Sequence, residues 1–370
     1  MKILKFLLLF ILIFSCKTKT EVIAKIFSPS ENLKYQKSSK YIVENYVLTD
    51  SINEIEANLS VKNLNIISSN KNIFIFDKLK QKLTKVYKYK FDELKLELLS
   101  VEFILNKDKT KLLTITSSGQ TTTALIFQID LSTLKIDWLT ESSKQISCGN
   151  YSDNSDFIAL GTGYINKNEE NTEYYSSLFI IDSKTGKINK HFEQGESVNQ
   201  IKFSEDGTKI YAVLDWPHVD TFVWNFKNTN KKIAVFGKDN ISFYDICEID
   251  ENFFVTIGSD GIYKWDNRNA KDYEIVYKDY INGSSKIYKY ENIFLLIDYK
   301  NGSANPPIIK YFNNSFKLLD SIKMKSTFNN VVIDNSHLEG IVDDIEIIRF
   351  DIKDKKVSET IEINKLLKRK

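Results

Sequence analysis

The sequence predicts an all-β protein that folds as a single β-propeller, and three observations lead to this prediction. Short segments rich in Ile, Val, Phe and Tyr alternate with turns rich in Asn, Asp, Lys, Ser and Gly. No long helical pattern interrupts them. Apolar runs also end in Asp or Asn at spacings of between 38 and 53 residues, a period typical of one four-stranded propeller blade. The residues that end these runs are Asp77, Asp130, Asp182, Asn225, Asp266, Asn313 and Asp351.

Seven repeats predict seven blades, with six or eight as alternatives because the first and sixth repeats are the least regular. In each blade the four strands are expected to run in order from a, at the centre of the ring, to d, at its outside. The first and last blades must join, since an open ring would expose strand edges and apolar faces. We therefore expect residues 41–49 to pair beside residues 357–363, or beside an equivalent C-terminal strand, and close the ring.

Two consecutive repeats define the strands most clearly. The first predicts strands at residues 198–203, 209–214, 221–226 and 232–236, and the second at residues 243–248, 253–257, 262–265 and 273–277. The turn between the first two strands is Ser204-Glu205-Asp206-Gly207, in which the glycine can take a positive φ. Each repeat therefore supplies one complete blade.

Three motifs in these repeats resemble those of WD-repeat propellers: Val223-Trp224-Asn225, Lys264-Trp265-Asp266 and the turn at residues 204–207. The run that begins at Leu178 resembles the repeats of bacterial envelope propellers. The resemblance covers about residues 45–363. The sequence has no Gly-His dipeptide and only three histidines, so the hydrogen-bond set that ties typical WD-repeat blades together cannot recur. We expect β-branched and aromatic packing to hold these blades instead.

The N-terminus predicts export. Two lysines precede the apolar residues 6–14, which are too few to span about 30 Å of hydrocarbon as a helix, so residues 1–15 are predicted to be a signal peptide. Ile13-Phe14-Ser15-Cys16 resembles a bacterial lipoprotein box, which implies lipid attachment at Cys16 and a place in the cell envelope, with Lys17 favouring the outer membrane. An ordinary cleaved signal with an incidental cysteine is the alternative. Residues 16–40 are predicted to be a flexible tether, and residues 41–370 the propeller domain.

The charge content argues against a nucleic-acid partner, and the positions of the cysteines argue against a disulfide. The 51 basic and 49 acidic residues leave a net charge of +2, with no basic patch to attract nucleic acid. Cys148 and Cys247 fall in the first strands of the third and fifth blades, which are not neighbours in the ring. We therefore predict two buried, unpaired thiols.

The sequence lacks the common catalytic signatures. It contains no His-Glu-x-x-His, no Cys-x-x-Cys, no Gly-x-Ser-x-Gly and no phosphate-binding loop ending in Gly-Lys-Ser/Thr. His191, His218 and His337 lie in separate repeats without metal-ligand spacing. We therefore predict no enzyme activity, no cofactor and no metal.

The connections between strands b and c are predicted to share one rim of the ring, and they differ in length. Residues 258–261 form a minimal turn, whereas residues 164–175, 215–220 and 298–307 form long loops with aromatic and acidic side chains that suit a protein interface. Asp also favours hairpin turns, so a structural role is the alternative for the acids. The candidate partner-binding residues are Tyr164, Tyr174, Tyr175, Asp215, Trp216, His218, Asp260, Asp298, Tyr299 and Asp343. Asp77, Asp130, Asp182, Asp266 and Asp351 recur at the c–d turns on the opposite rim, where we expect them to cap the turn backbone.

These observations favour a non-enzymatic, lipid-anchored envelope protein, monomeric as a propeller, that binds a protein or peptide through the b–c rim. A propeller-type hydrolase or lyase is the alternative. It would need Asp215, Asp260, Asp298 or Asp343 to converge with His218 on a divalent ion. A purely structural role in an envelope assembly is a third hypothesis.

Overall fold

The strands of the molecule arrange as seven β-sheets in chain order. The structure, a computed structural model, describes residues 33–36, 42–44, 55–69, 72–80, 82–89, 100–117, 124–142, 145–163, 165–168, 171–194, 197–214, 221–225, 232–237, 241–334, 336–342 and 346–362. These residues contain strands and turns and no helix. Accordingly, no helix in the described ranges is long and apolar enough to cross a membrane.

Two short strands precede the ring, β1 (Leu33–Gln36) and β2 (Ile42–Glu44). Blade 1 contains β3 (Ala57–Val61), β4 (Leu64–Ser69), β5 (Asn72–Asp77) and β6 (Lys82–Tyr89), and blade 2 contains β7 (Ser100–Leu105), β8 (Lys111–Ser117), β9 (Ala124–Asp130) and β10 (Lys135–Ser142). Blade 3 contains β11 (Ile146–Tyr151), β12 (Phe157–Thr162), β14 (Asn171–Asp182) and β15 (Ile188–Gln194), with β13 (Ile165–Asn168) as an extra strand.

Blade 4 contains β16 (Val198–Phe203), β17 (Lys209–Leu214), β18 (Thr221–Asn225) and β19 (Lys232–Phe236), and blade 5 contains β20 (Phe243–Glu248), β21 (Phe253–Gly258), β22 (Gly261–Asp266) and β23 (Asn269–Lys278). Blade 6 contains β24 (Lys286–Tyr290), β25 (Ile293–Asp298), β26 (Ile308–Asn313) and β27 (Leu318–Lys323), and blade 7 contains β28 (Asn329–Asp334), β29 (His337–Val342), β30 (Glu346–Asp351) and β31 (Lys356–Glu362). Every pairing between consecutive blade strands is antiparallel. The prediction of a seven-bladed, all-β propeller is confirmed.

Strands b and c of each blade are buried on both faces because each sheet packs between two others. In blade 4, for example, Ile210, Ala212 and Leu214 on β17 contact blade 3, whereas Tyr211 and Val213 contact blade 5. The blades are held by apolar and aromatic packing, as the sequence predicts. Trp265 shows this most clearly: its buried ring contacts Phe236, Phe243, Phe254, Tyr263 and Tyr273.

The ring closes by side-chain packing between blades 7 and 1, and the predicted pairing of residues 41–49 with residues 357–363 is wrong for the residues described. Strand β2 pairs with β6 of blade 1, and β31 pairs with β30 of its own blade. Blade 7 already has four strands from consecutive hairpins, so it needs no strand from the N-terminus. An apolar cluster joins the two blades instead: Ile55, Ile67, Phe74, Phe76 and Val86 of blade 1 with Ile341, Ile347 and Ile361 of blade 7.

A polar network strengthens the same junction. Arg349 donates from Nε to Glu339 (2.8 Å) and from Nη2 to Ser60 of blade 1 (2.7 Å). Asn58 of blade 1 donates to the second oxygen of Glu339 at 3.4 Å. The Glu339 carboxylate is 1% exposed, so its charge depends on these partners.

The N-terminal strands extend two blades outward. Strand β1 pairs antiparallel with β10, and β2 pairs with β6, so blades 1 and 2 each have a fifth, outer strand. The prediction of a flexible tether over residues 16–40 therefore differs from the structure at Leu33–Gln36. Each short strand gains backbone hydrogen bonds on an outer edge that would otherwise have unpaired groups. Residues 1–32, including Cys16, lie outside the described residues.

Cys148 and Cys247 are buried and unpaired, as predicted. Burial raises the pKa of the Cys148 thiol to about 12 and that of Cys247 to about 11. Both thiols therefore stay protonated and unreactive at neutral pH.

Candidate functional site

One rim of the propeller carries short turns in the described residues, and side chains cap many of them. At the c–d turns, the side chains that end strand c accept hydrogen bonds from backbone amides two or three residues later. The pairs are Asp77 with Lys80, Asp130 with Ser132, Asp182 with Thr185, Asp266 with Arg268, Asn313 with Ser315 and Asp351 with Lys353. The predicted capping role is confirmed for the five aspartates, and Asn313 caps its turn in the same way. We call this surface the turn rim.

The a–b turns on the same rim are closed in a similar way. Asn106 accepts from the amides of Thr110 and Lys111, Asp206 from that of Thr208, and Asp250 from that of Asn252. These side chains are engaged with their own turns. The capping side chains are therefore occupied, and the other polar groups of the turn rim are exposed charged residues such as Lys107, Lys184 and Lys353.

The opposite surface, which we call the b–c rim, carries the irregular connections. The predicted long polar loop at residues 164–175 is instead a β-ribbon: β13 pairs antiparallel with the first part of β14, so that Ile165 is opposite Tyr175 and Asn166 is opposite Tyr174. The ribbon extends strand c of blade 3 beyond the sheet, because β12 pairs only with residues 178–182 of β14. Ladder hydrogen bonds satisfy the backbone of an insertion that the sequence alone presents as a polar loop.

Blades 5 and 6 form the best described part of the b–c rim. The connection from β23 to β24 contacts the b–c turn of blade 5, because Asp279 and Ile281 donate backbone hydrogen bonds to Asp260 (3.3 Å) and Ser259 (3.2 Å). Tyr280, between them, is 59% exposed. The rim therefore presents an aromatic side chain that the sequence analysis did not single out, next to Asp260.

Asp260 itself is exposed, and its carboxylate accepts a hydrogen bond from Tyr263 at 2.5 Å. Its neighbour Asp279 pairs with Lys300 (2.9 Å) and Lys310 (2.8 Å). Burial raises the pKa of the Asp279 carboxyl, but the hydrogen bonds from Lys310 and Lys300 outweigh it and hold the pKa at about 2. This part of the rim thus carries acidic and basic groups that are already paired.

Two candidate residues lie inside the protein and not on the rim surface. Asp298 is 0% exposed and pairs with the buried Lys310 at 2.6 Å. Tyr299 is 5% exposed, and its hydroxyl donates to the backbone carbonyl of Phe328 in the connection to blade 7. The expectation that these side chains face a partner or a cation is therefore corrected. A carboxylate and a phenol at a strand end can be enclosed by the neighbouring blade, which the order of residues does not show.

Of the remaining candidates beside Asp260, two have a described backbone and five lie outside the described residues. Tyr174 and Tyr175 lie in β14, where the structure describes their backbone pairing. Tyr164, Asp215, Trp216, His218 and Asp343 lie outside the described residues. The metal-dependent alternative needs Asp215, Asp260, Asp298 or Asp343 to converge with His218 on one ion. Of these, Asp298 is buried and its Oδ2 accepts a hydrogen bond from Lys310. No group of three or more His, Cys, Asp or Glu that could hold a metal ion occurs within the described ranges.

A cavity of about 940 Å³ occupies the centre of the ring. Its wall is formed by the inner strands of the blades, and Ser284 and Ser303 of the b–c rim also line it, so it opens toward that rim. Polar and apolar residues line the wall in similar measure. The polar ones include Glu102, Lys286, Asn150, Asn199, Gln200 and Asn330, and the apolar ones include Val101, Phe103 and Ile341.

The cavity was not predicted from the sequence, because the inner strands were interpreted only as structural elements of the blades. A signal was present: Glu102 stands between Val101 and Phe103 in an alternating strand, and Lys286 begins an inner strand in the same way. A charged residue on the innermost strand of a propeller can face the central channel, as these two do, or pair with a neighbouring blade. The order of residues does not show which occurs, because that depends on the packing of the blades.

Comparisons with known proteins support the fold alone. No family model matches the sequence, and no curated protein matches it. Similar solved structures include two WD40 propellers. Sqt1 of Saccharomyces cerevisiae has 10% identity and a TM-score of 0.57, covering 90% of this chain and 88% of that one. The propeller domain of Cps50 (Swd1) from Myceliophteria thermophila has 11% identity and a TM-score of 0.53, covering 72% and 88%.

An enzyme is also among the similar structures. The dihydro-heme d1 dehydrogenase NirN, in complex with DHE, has 12% identity and a TM-score of 0.55, covering 88% of this chain and 70% of that one. At identities this low, each likeness concerns the arrangement of blades. The function must be argued from the surfaces of this chain.

Proposed function

We propose that this protein is a non-enzymatic, lipid-anchored propeller of the cell envelope that binds a protein or peptide partner through its b–c rim. Propellers often serve as scaffolds for protein interaction. The observation that carries the proposal is the difference between the two rims. The turn rim has short connections whose polar side chains cap their own backbone, whereas the b–c rim has the β13–β14 ribbon, the loop at residues 299–307 and the exposed Tyr280.

Exposed aromatic side chains suit an interface because they bury a large area at a small cost in side-chain entropy. Tyr280 provides one on the described part of the rim, and Trp216 and Tyr174 are the sequence candidates for the same surface. Asp298 and Tyr299 support the rim from inside, because Asp298 pairs with Lys310 within blade 6 and Tyr299 donates to Phe328 in the connection to blade 7. The chain itself acts as the monomeric scaffold, without a cofactor.

The test is a pull-down from solubilised membranes with affinity-tagged full chain after crosslinking in intact cells. Tyr280→Ala combined with Trp216→Ala is expected to weaken recovery of the partner at least about tenfold, the effect of losing interface anchors. The matched control is Leu79→Ala, which removes a 75% exposed apolar side chain from the turn rim. Equal loss in the control, or no loss in the double variant, would refute the choice of rim.

Lipid anchoring and the enzyme alternative have separate tests. Metabolic labelling with a fatty-acid analogue is expected to mark the chain, and Cys16→Ser to abolish the label and release the protein from the membrane fraction. A rise in melting temperature with calcium or manganese would support the metal-dependent alternative. Unchanged melting with both ions would support the binding role.

A further inference from the structure

Two opposite charges face the central cavity from different blades without pairing. Glu102 lies on β7 of blade 2 and Lys286 on β24 of blade 6, and both line the cavity wall. Among the described residues, no hydrogen bond or ion pair engages either side chain. Burial raises the pKa of the Glu102 carboxyl to about 7, although the charge of Lys286 opposes this rise. The two charges therefore interact electrostatically across the cavity without forming an ion pair.

Other charged groups on the inner strands are paired. Asp245 on β20, which is buried, pairs with Lys202 at 3.2 Å and accepts the backbone amide of Ile287 at 2.9 Å. Lys289, on the same strand as Lys286, pairs with Glu205 at 3.1 Å and donates to the carbonyl of Ile249 at 2.7 Å. Because the inner strands satisfy these charges within the fold, unpaired Glu102 and Lys286 call for a different explanation.

We propose that the cavity binds a small zwitterion of the amino-acid and short-peptide class, with its ammonium group at Glu102 and its carboxylate at Lys286. A polyanion would meet the carboxylate of Glu102, and a simple cation would leave Lys286 unpaired. A ligand with both charges pairs each wall group with its opposite. The volume of about 940 Å³ is at the upper end for small-molecule pockets, so it admits either a single amino acid or a peptide of a few residues.

The inference concerns the cavity and does not rest on partner binding at the rim. It is tested with the purified full chain in detergent, by calorimetric titration with zwitterions of increasing length: glycine, 4-aminobutyrate, 6-aminohexanoate, diglycine and triglycine. Butylamine and butyrate, which carry one charge each, are the controls. We expect saturable binding by one length range of zwitterion, and at least about tenfold weaker binding by each control, because each lacks one charge-assisted contact. The preferred length distinguishes an amino acid from a peptide.

Variants locate the site. Glu102→Gln and Lys286→Met are each expected to weaken the preferred zwitterion at least about tenfold. Lys289→Met, which removes a lysine from the same strand that does not line the cavity, is the matched control and is expected to bind as the unmodified chain does. If a variant fails to fold, the length series and the single-charge controls on the unmodified chain still decide. No binding of any zwitterion at about 10 mM, equal binding of the single-charge controls, or undiminished binding by folded Glu102→Gln would overturn the proposal.

Discussion

The unpaired carboxyl of Glu102 predicts how the stability of the propeller depends on pH. Burial raises its pKa from 4.5 to about 7 in the folded protein, so the folded chain holds this proton more tightly than the unfolded chain. As pH rises from about 4.5 to 7, the unfolded chain loses the proton first, and the free energy of unfolding falls. The contribution of Glu102 is therefore most favourable below pH 4.5 and is lost by the time the pH has passed about 7.

The size of this effect follows from the rise in pKa. A rise from 4.5 to about 7 corresponds to at most about 3 kcal/mol, and water in the cavity reduces it to about 1 to 3 kcal/mol. Glutamine has nearly the same shape and no charge to desolvate. Glu102→Gln is therefore expected to leave the free energy of unfolding nearly unchanged at pH 4.5 and to raise it by about 1 to 3 kcal/mol at pH 8.

The assay is urea unfolding followed by tryptophan fluorescence, at several values of pH between 4.5 and 8. The control is Glu274→Gln, which changes an exposed glutamate on the outer strand of blade 5 and is expected to shift stability equally at every pH. If the free energies of unfolding of Glu102→Gln and of the unmodified chain change with pH in parallel over this range, the Glu102 carboxyl is either exposed to water or paired. The electrostatic argument for the cavity would then be wrong.

Three further predictions concern the scaffold. Arg349→Leu leaves the buried Glu339 without its main partner and is expected to lower the free energy of unfolding by about 3 to 5 kcal/mol. The control Arg268→Ala removes an exposed pair with Asp266 and is expected to cost less than about 1 kcal/mol. Urea unfolding compares the two variants, and equal costs would contradict closure of the ring through blades 7 and 1. Gly186→Ala would place a Cβ 2.5 Å from the Trp138 ring at a φ of +69°, so it is expected to lower the free energy of unfolding by about 2 to 4 kcal/mol. The control Gly207→Ala, at a φ of +63° with open space around it, is expected to lower it by about 1 kcal/mol. A similar loss for both variants would show that the contact with Trp138 is unimportant. Cys148 and Cys247 are expected to resist a thiol reagent at pH 8 in the folded chain and to react in urea; rapid labelling of the folded chain would show that the inner strands open.

Sequence reasoning reached the architecture because each repeat carries its own local signals. Strands β16 to β18 and β20 to β22 lie within one residue of the predicted bounds at each end, since alternating apolar residues and Asx or glycine turns define short antiparallel strands. Asp77 and its counterparts at the ends of strand c were also interpreted correctly, because a capped turn is a local interaction. These features need no knowledge of distant residues.

What the sequence could not show depends on neighbouring blades. The N-terminal strand at Ile42–Glu44 could add to any blade with an open edge, and only tertiary packing selects β6. Tyr299 has the pattern of an exposed loop aromatic, yet the backbone of the next blade accepts its hydroxyl. Glu102 and Lys286 are distant in sequence and meet at the cavity only because seven blades close into a ring.

The central claim is that the b–c rim is the surface that meets a partner, and site-specific photo-crosslinking in intact cells tests it most directly. A photo-reactive amino acid is placed at Tyr280 or Ser303 on the b–c rim, or at Leu79 or Lys353 on the turn rim, in the full chain. The account predicts a protein adduct of the same mass from both b–c positions and none from the turn-rim positions. Adducts from the turn rim alone, or from neither rim, would contradict it.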